Sequence, residues 1–113
     1  MARYECFTRS TGAADRLLPI ARQALEGQGF KILSELGDSM RLVDGRPARR
    51  LRERVVVVLD ERRQADGHEL QCVVSNEAIP GSGDNRCRDS FDNLVTLFRS
   101  LPGVEVEWSE AVA

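Results

Sequence analysis

Residues 54–60 read Arg-Val-Val-Val-Val-Leu-Asp, and the five apolar side chains from Val55 to Leu59 form the longest uninterrupted apolar run of the chain. A strand sends successive side chains to opposite faces, so this run puts apolar residues on both, as expected in the interior of a sheet. Five residues also fall far short of the roughly 20 that cross a bilayer as a helix. The run predicts a central strand, and the segments on either side show what it pairs with.

On its C-terminal side, Ala65-Asp66-Gly67 has turn composition, and His68 to Asn76 alternates with Leu70, Cys72 and Val74 on one face. That spacing predicts a hairpin. On the N-terminal side, Phe30, Ile32, Ser34 and Leu36 alternate with Lys31, Leu33 and Glu35, and Gly37-Asp38-Ser39 turns into Met40 to Val43. A second hairpin follows from the same logic. Further out, Arg3 to Arg9 reads as a strand with Tyr4, Cys6 and Thr8 on one face and Phe7 with charged residues on the other. A short final strand is predicted at Val104 to Trp108.

Two segments carry helical spacing instead. From Asp15 to Gln28, Leu17, Leu18, Ala21, Ala24 and Leu25 share one face, with Pro19 in the first turn and Gly27 and Gly29 at the end. In the second, Phe91, Leu94, Val95, Phe98 and Leu101 form an apolar stripe that Asp89 caps and Pro102-Gly103 stops. Glu77 to Arg88 contains Pro80-Gly81-Ser82-Gly83-Asp84-Asn85 and fits neither period, so it is expected to be a loop.

The resulting order is β-α-β-β-β-β-α-β, an α+β fold with a mainly antiparallel sheet of five to six strands and two helices on one face. This string resembles the TATA-binding protein repeat and the helix-grip lipid-binding domains, with the ferredoxin-like βαββαβ layout as the alternative. The resemblance is one of topology and carries neither DNA nor lipid binding with it. A chain of 113 residues, 42% apolar, has room for one core, so residues 1–113 are expected to form a single domain. The charged start at Met1 to Glu5 lacks the apolar stretch of a secretory signal, which predicts a cytoplasmic protein with no membrane insertion.

Three widely spaced cysteines suit reduced thiols rather than a disulfide framework. Cys6 and Cys72 fall in the apolar phase of their strands and read as small buried hydrophobes, without the paired spacing of a metal site. No motif calls for a metal or cofactor. Cys87 differs, because it lies between Arg86 and Arg88 before a helix start, where a thiol pKa is lowered; it is expected to be the exposed and most reactive of the three. His68, the only histidine, sits beside Asp66 and Glu69 and reads as a solvated turn residue.

Charge supplies the functional candidates. The chain carries a net −2, yet residues 46–54 hold five arginines and one glutamate, a local +4 in an otherwise acidic protein. Arg46, Arg49, Arg50, Arg52 and Arg54 are therefore candidates for contacting phosphates or carboxylates by forked hydrogen bonds. The glycine-rich loop, with Ser82, Arg86, Cys87 and Arg88, is a second candidate, because flexible backbone, cationic side chains and helix-start N–H groups can hold an anion. The leading expectation is a non-catalytic binding or adaptor domain that recognises an acidic protein surface or anionic ligand through the arginine-rich loop. The alternative is nucleic-acid binding by the same arginines and the sheet face. Against it stands the scarcity of aromatics, with no stacking pair evident on adjacent strands. A third class is an enzyme built on Cys87 with His68 as its base, which requires the two within hydrogen-bond reach. The oligomeric state is left open by the sequence.

Overall fold

The valine run feeds β4 (Val56–Gln64), which lies third in a six-stranded sheet, inside it as the run predicts. In the computed structural model the described residues are 2–11, 16–47, 53–77 and 86–111. The elements in chain order are β1 (Ala2–Thr11), α1 (Leu17–Gly27), β2 (Phe30–Leu36), β3 (Ser39–Asp44), β4, β5 (Gly67–Asn76), α2 (Arg86–Ser100) and β6 (Val104–Ala111). The sheet order is β2-β3-β4-β5-β1-β6, and every adjacent pair is antiparallel. Four strands separate the two helices, as the predicted string requires and the ferredoxin-like alternative does not.

Both helices pack on one face of this sheet. Val57 and Leu59 are buried there beside Leu42, Leu70, Cys72 and Val74, beneath Leu17, Ala21 and Leu25 of α1 and Leu94 and Phe98 of α2. Tyr4 joins them by stacking on Phe91 at 5.2 Å between ring centroids. Among the described residues no helix lies over the other face, where Val56 and Val58 are half-buried. Apolar character on both faces of β4 thus marks a central strand in a sheet with one covered face.

Several boundaries differ from the sequence reading, each for a local reason. The first strand gains residues at both ends, and β6 runs to Ala111 beside β1. The arginine-flanked start of the central strand shifts inward, because Arg54 and Val55 precede β4. The second helix starts at Arg86, so Arg86, Cys87 and Arg88 belong to its first turn and not to the loop, and Asp89 lies within that turn instead of capping it. The cause is visible in retrospect: Cys87 is four residues before Phe91 and seven before Leu94, and extends the apolar stripe by one turn.

Of β2, only Phe30 is buried. Its register shifts between Ile32 and Ser34, a bulge at Leu33 that interrupts the strict alternation read from the sequence. The other edge strand, β6, also meets a register shift, between Phe7 and Thr8 of β1. Bulges at both edges and regular pairing inside are a common way to discourage edge-to-edge aggregation. The β4–β5 turn depends on a glycine for space. A Cβ on Gly67 would lie 1.9 Å from the Ser10 carbonyl oxygen, inside the β1–β5 pairing.

Candidate functional site at the arginine end of the sheet

β3 finishes at Asp44, and its carboxylate is buried at the end of the sheet where the arginine-rich segment begins. Burying a charge is costly without partners. Arg46 supplies them: its Nε donates to Oδ1 at 2.8 Å, its Nη2 to Oδ2 at 2.7 Å and its backbone N–H to Oδ1 at 2.9 Å. Arg46 also lies over the Phe30 ring, 5.9 Å from its centroid. Arg86 approaches from α2, with Nη1 3.6 Å from Asp44 Oδ2 and Nη2 donating to the Pro47 carbonyl at 3.1 Å.

The consequence is that the two candidate segments meet. The flank of the arginine-rich stretch and the first turn of α2 are tied to one buried carboxylate. Asn76, the last residue of β5, adds a further tie by donating to the Glu53 carbonyl at 3.2 Å. Burial pushes the Asp44 carboxyl up, but the hydrogen bonds and charge of Arg46, with Arg86 behind it, outweigh that and hold it below the ordinary carboxylate range.

Not every candidate contributes in the way expected. Arg46 is committed to Asp44 and acts as a brace. Arg54 is exposed, and Arg88 is exposed 3.7 Å from Asp92. Arg49, Arg50, Arg52 and Ser82 lie outside the described residues. Cys87, expected to be exposed, is buried against the core. His68, the second residue of β5, lies at the opposite end of the sheet, eight strand residues from Asn76, or roughly 25 Å away. Cys87 and His68 are therefore not within hydrogen-bond reach, which removes the geometry that an enzyme of the third class requires. Cys6 and Cys72 face each other across β1 and β5, and burial pushes both thiols up. Among the described residues, no group of three or more His, Cys, Asp or Glu side chains is arranged to hold a metal ion.

A second buried carboxylate, missed in the sequence, organises the far end. Glu61 of β4 accepts the N–H groups of Leu17 at 2.7 Å and Leu18 at 3.0 Å, and Arg16 Nε at 2.7 Å. Arg16 also donates to Asp38 in the β2–β3 turn at 2.8 Å. The N-cap residue, Arg16, makes no side-chain capping bond to α1, and a distant strand performs that task.

The open sheet face corrects another expectation. Phe7 of β1 and Trp108 of β6 are directly paired on adjacent strands and stack with centroids 6.2 Å apart and planes at 8°. An aromatic pair therefore exists where none was evident. Its surroundings are acidic on balance, with Glu5, Glu107 and Glu110 on the same two strands and Glu69 on neighbouring β5, against Arg3, which pairs with Glu5, and Arg9, which pairs with Glu69 and Glu107. Comparison of the chain with family models, with curated proteins and with solved structures gave no match. The site is accordingly read from its own chemistry.

Proposed function

We propose that this protein is a small non-catalytic binding domain of the cytoplasm that recognises an acidic protein surface through the arginine end of its sheet. The observation carrying this reading is the meeting of the two basic segments on Asp44, where Arg46 and Arg86 converge from different parts of the chain. With Arg46 spent on Asp44, the segment 46–54 still carries four further arginines against Glu53, a surplus of positive charge in the sequence that adjoins that end. Such a surplus steers an anionic partner and orients its approach. The start of α2 lies at the same end, and its partial positive charge adds to the attraction.

The test uses fluorescence anisotropy with two labelled probes, a glutamate-rich peptide and a single-stranded RNA. The expected result is binding of the peptide that weakens with salt and is lost on Arg49→Ala, Arg50→Ala and Arg52→Ala combined, with the fold intact by circular dichroism. Undiminished peptide binding by the triple variant overturns the reading. Tighter binding of the RNA, with a steep salt dependence, replaces it with the nucleic-acid alternative. The carboxylates around Phe7 and Trp108 are the specific reason to expect the peptide, because they repel a phosphate backbone laid on the sheet face.

A further inference from the structure

The face of the sheet that no helix covers has an ordered distribution of side chains. Across the strand order, its β2-β3-β4 half carries Lys31, Arg41 and Arg62 against one carboxylate, Asp60, whereas its β5-β1-β6 half carries Glu5, Glu69, Glu105 and Glu110 against two arginines, Arg3 and Arg9, which pair with Glu5 and Glu69. Apolar residues lie between and at the rims. Val58 and Val73 pair directly at the midline, and the exposed Leu36 and Trp108 sit on the two edge strands.

Register makes the pattern quantitative. One cross-strand row runs Trp108, Phe7, Gln71, Asp60, Ser39, Leu36 through all six strands, and the next runs Glu110, Glu5, Val73, Val58, Arg41, Ser34. A twofold axis parallel to the strands and placed between β4 and β5 exchanges β4 with β5, β3 with β1 and β2 with β6, while preserving position along the strands. Within the first row it sets Trp108 of one copy over Leu36 of the other. Within the second it sets Val73 over Val58 and Glu5 over Arg41, and in the row on the other side of the first it sets Glu69 over Arg62. Every such pair occurs twice, as an isologous interface requires.

We propose that a second copy of this chain packs face to face on the open sheet, forming a dimer with the helices outside. Charge complementarity selects this occupant: the half of each copy with an excess of cations meets the half of its partner with an excess of carboxylates, and no like charges are opposed within these rows. A hollow of about 240 Å³ bordered by Ser34, Leu36, Arg41 and Val58 lies where the partner's indole would enter. The size also fits, since six strands about 4.8 Å apart and roughly eight residues long present roughly 700 Å² per copy, close to the roughly 800 Å² of a standard interface. Two sheets packed with strands nearly aligned are a common architecture. The proposal does not depend on the arginine end and stands or falls separately from it.

Sedimentation equilibrium of the full chain tests it. The wild type is expected to be a dimer at micromolar concentration, and Arg41→Glu is expected to weaken dimerisation at least ~tenfold by placing like charges together. The swap Glu5→Arg with Arg41→Glu restores it. These residues lie on strands separated by two others, so recovery reports a contact between copies and not one within a chain. Trp108→Ala with Leu36→Ser gives a monomer that remains folded by circular dichroism. A monomeric wild type overturns the proposal, and so does a dimer unaffected by the Arg41 and Trp108/Leu36 changes, which would place the contact on a sheet edge or on the helices.

Discussion

Asp44 and Glu61 are buried carboxylates on the covered face of one sheet, at opposite ends, and the chain satisfies them by different means. Asp44 is surrounded by guanidinium groups, so that end is held by charge neutralisation between side chains from β3, the segment after it and α2. Glu61 gives one oxygen to Arg16 and the other to two backbone N–H groups, so that end is held by capping a helix. The first device gathers two guanidinium groups from different segments on one carboxylate. The second ties its carboxylate to two backbone N–H groups as well as to the Arg16 side chain. The proposed binding function belongs to the first end, while Glu61 serves the fold at the other.

The comparison can be broken most severely through the helix that runs between the two ends. Phe98→Ala is expected to cost about 3–5 kcal/mol in chemical denaturation, because the fully buried ring leaves a cavity between α2 and the sheet. A change near zero would contradict the packing of α2. Next in size is Glu61→Ala, expected to cost about 2–4 kcal/mol by leaving buried N–H groups without an acceptor, while Glu61→Gln, which keeps one acceptor, costs less. Hydrogen exchange at Leu17 and Leu18 should rise in the alanine variant. If it does not, those amides are held by something other than Glu61.

Asp44→Asn is expected to cost about 1–2 kcal/mol at neutral pH, less than the Glu61 change because much of Arg46 remains in water. Its sharper signature is pH dependence. The folded pKa of Asp44 lies below its unfolded value, so its contribution is present above the unfolded pKa, about 3.9, and is lost as pH falls through the folded value. The wild type should therefore lose this stability below about pH 4, and Asp44→Asn should flatten that limb. An unchanged acid limb in the variant would show that Arg46 does not neutralise Asp44 as described. The smallest expected effect is an absence. Thiol reagents should leave Cys6, Cys72 and Cys87 unmodified in the native protein, and rapid labelling of Cys87 alone would return it to the surface.

The periodic parts of the fold were legible because a single spacing rule fixes them. Val57 and Phe98 could be named as core from the β4 run and the α2 stripe, and both are fully buried. The bulge at Leu33 was not legible, since the alternation of β2 looks regular until the strand is paired with β3. The arginines beside Cys87 point to an exposed thiol, whereas its spacing to Phe91 and Leu94 puts it on the buried stripe of α2. Glu61 and Asp44 read as ordinary carboxylates, because their partners come from other elements and no local pattern announces them. The arginine cluster was visible as charge, but its junction with the start of α2 is a tertiary fact. So is the pairing of Phe7 with Trp108, residues from the two ends of the chain.

The cap on α1 has a consequence for the order of events in time. Glu61 lies 44 residues after Leu17 and 43 after Leu18, so during synthesis α1 is complete long before its cap exists. A helix of eleven residues is marginal by itself in water, because nucleation must precede the gain from each further turn. Its first turn is secured only once β4 has docked, after a long loop has closed against chain entropy. Contacts of such separation slow folding. The nascent chain thus carries α1 as an unsecured segment until the valine run, with Glu61 just behind it, has been made and paired.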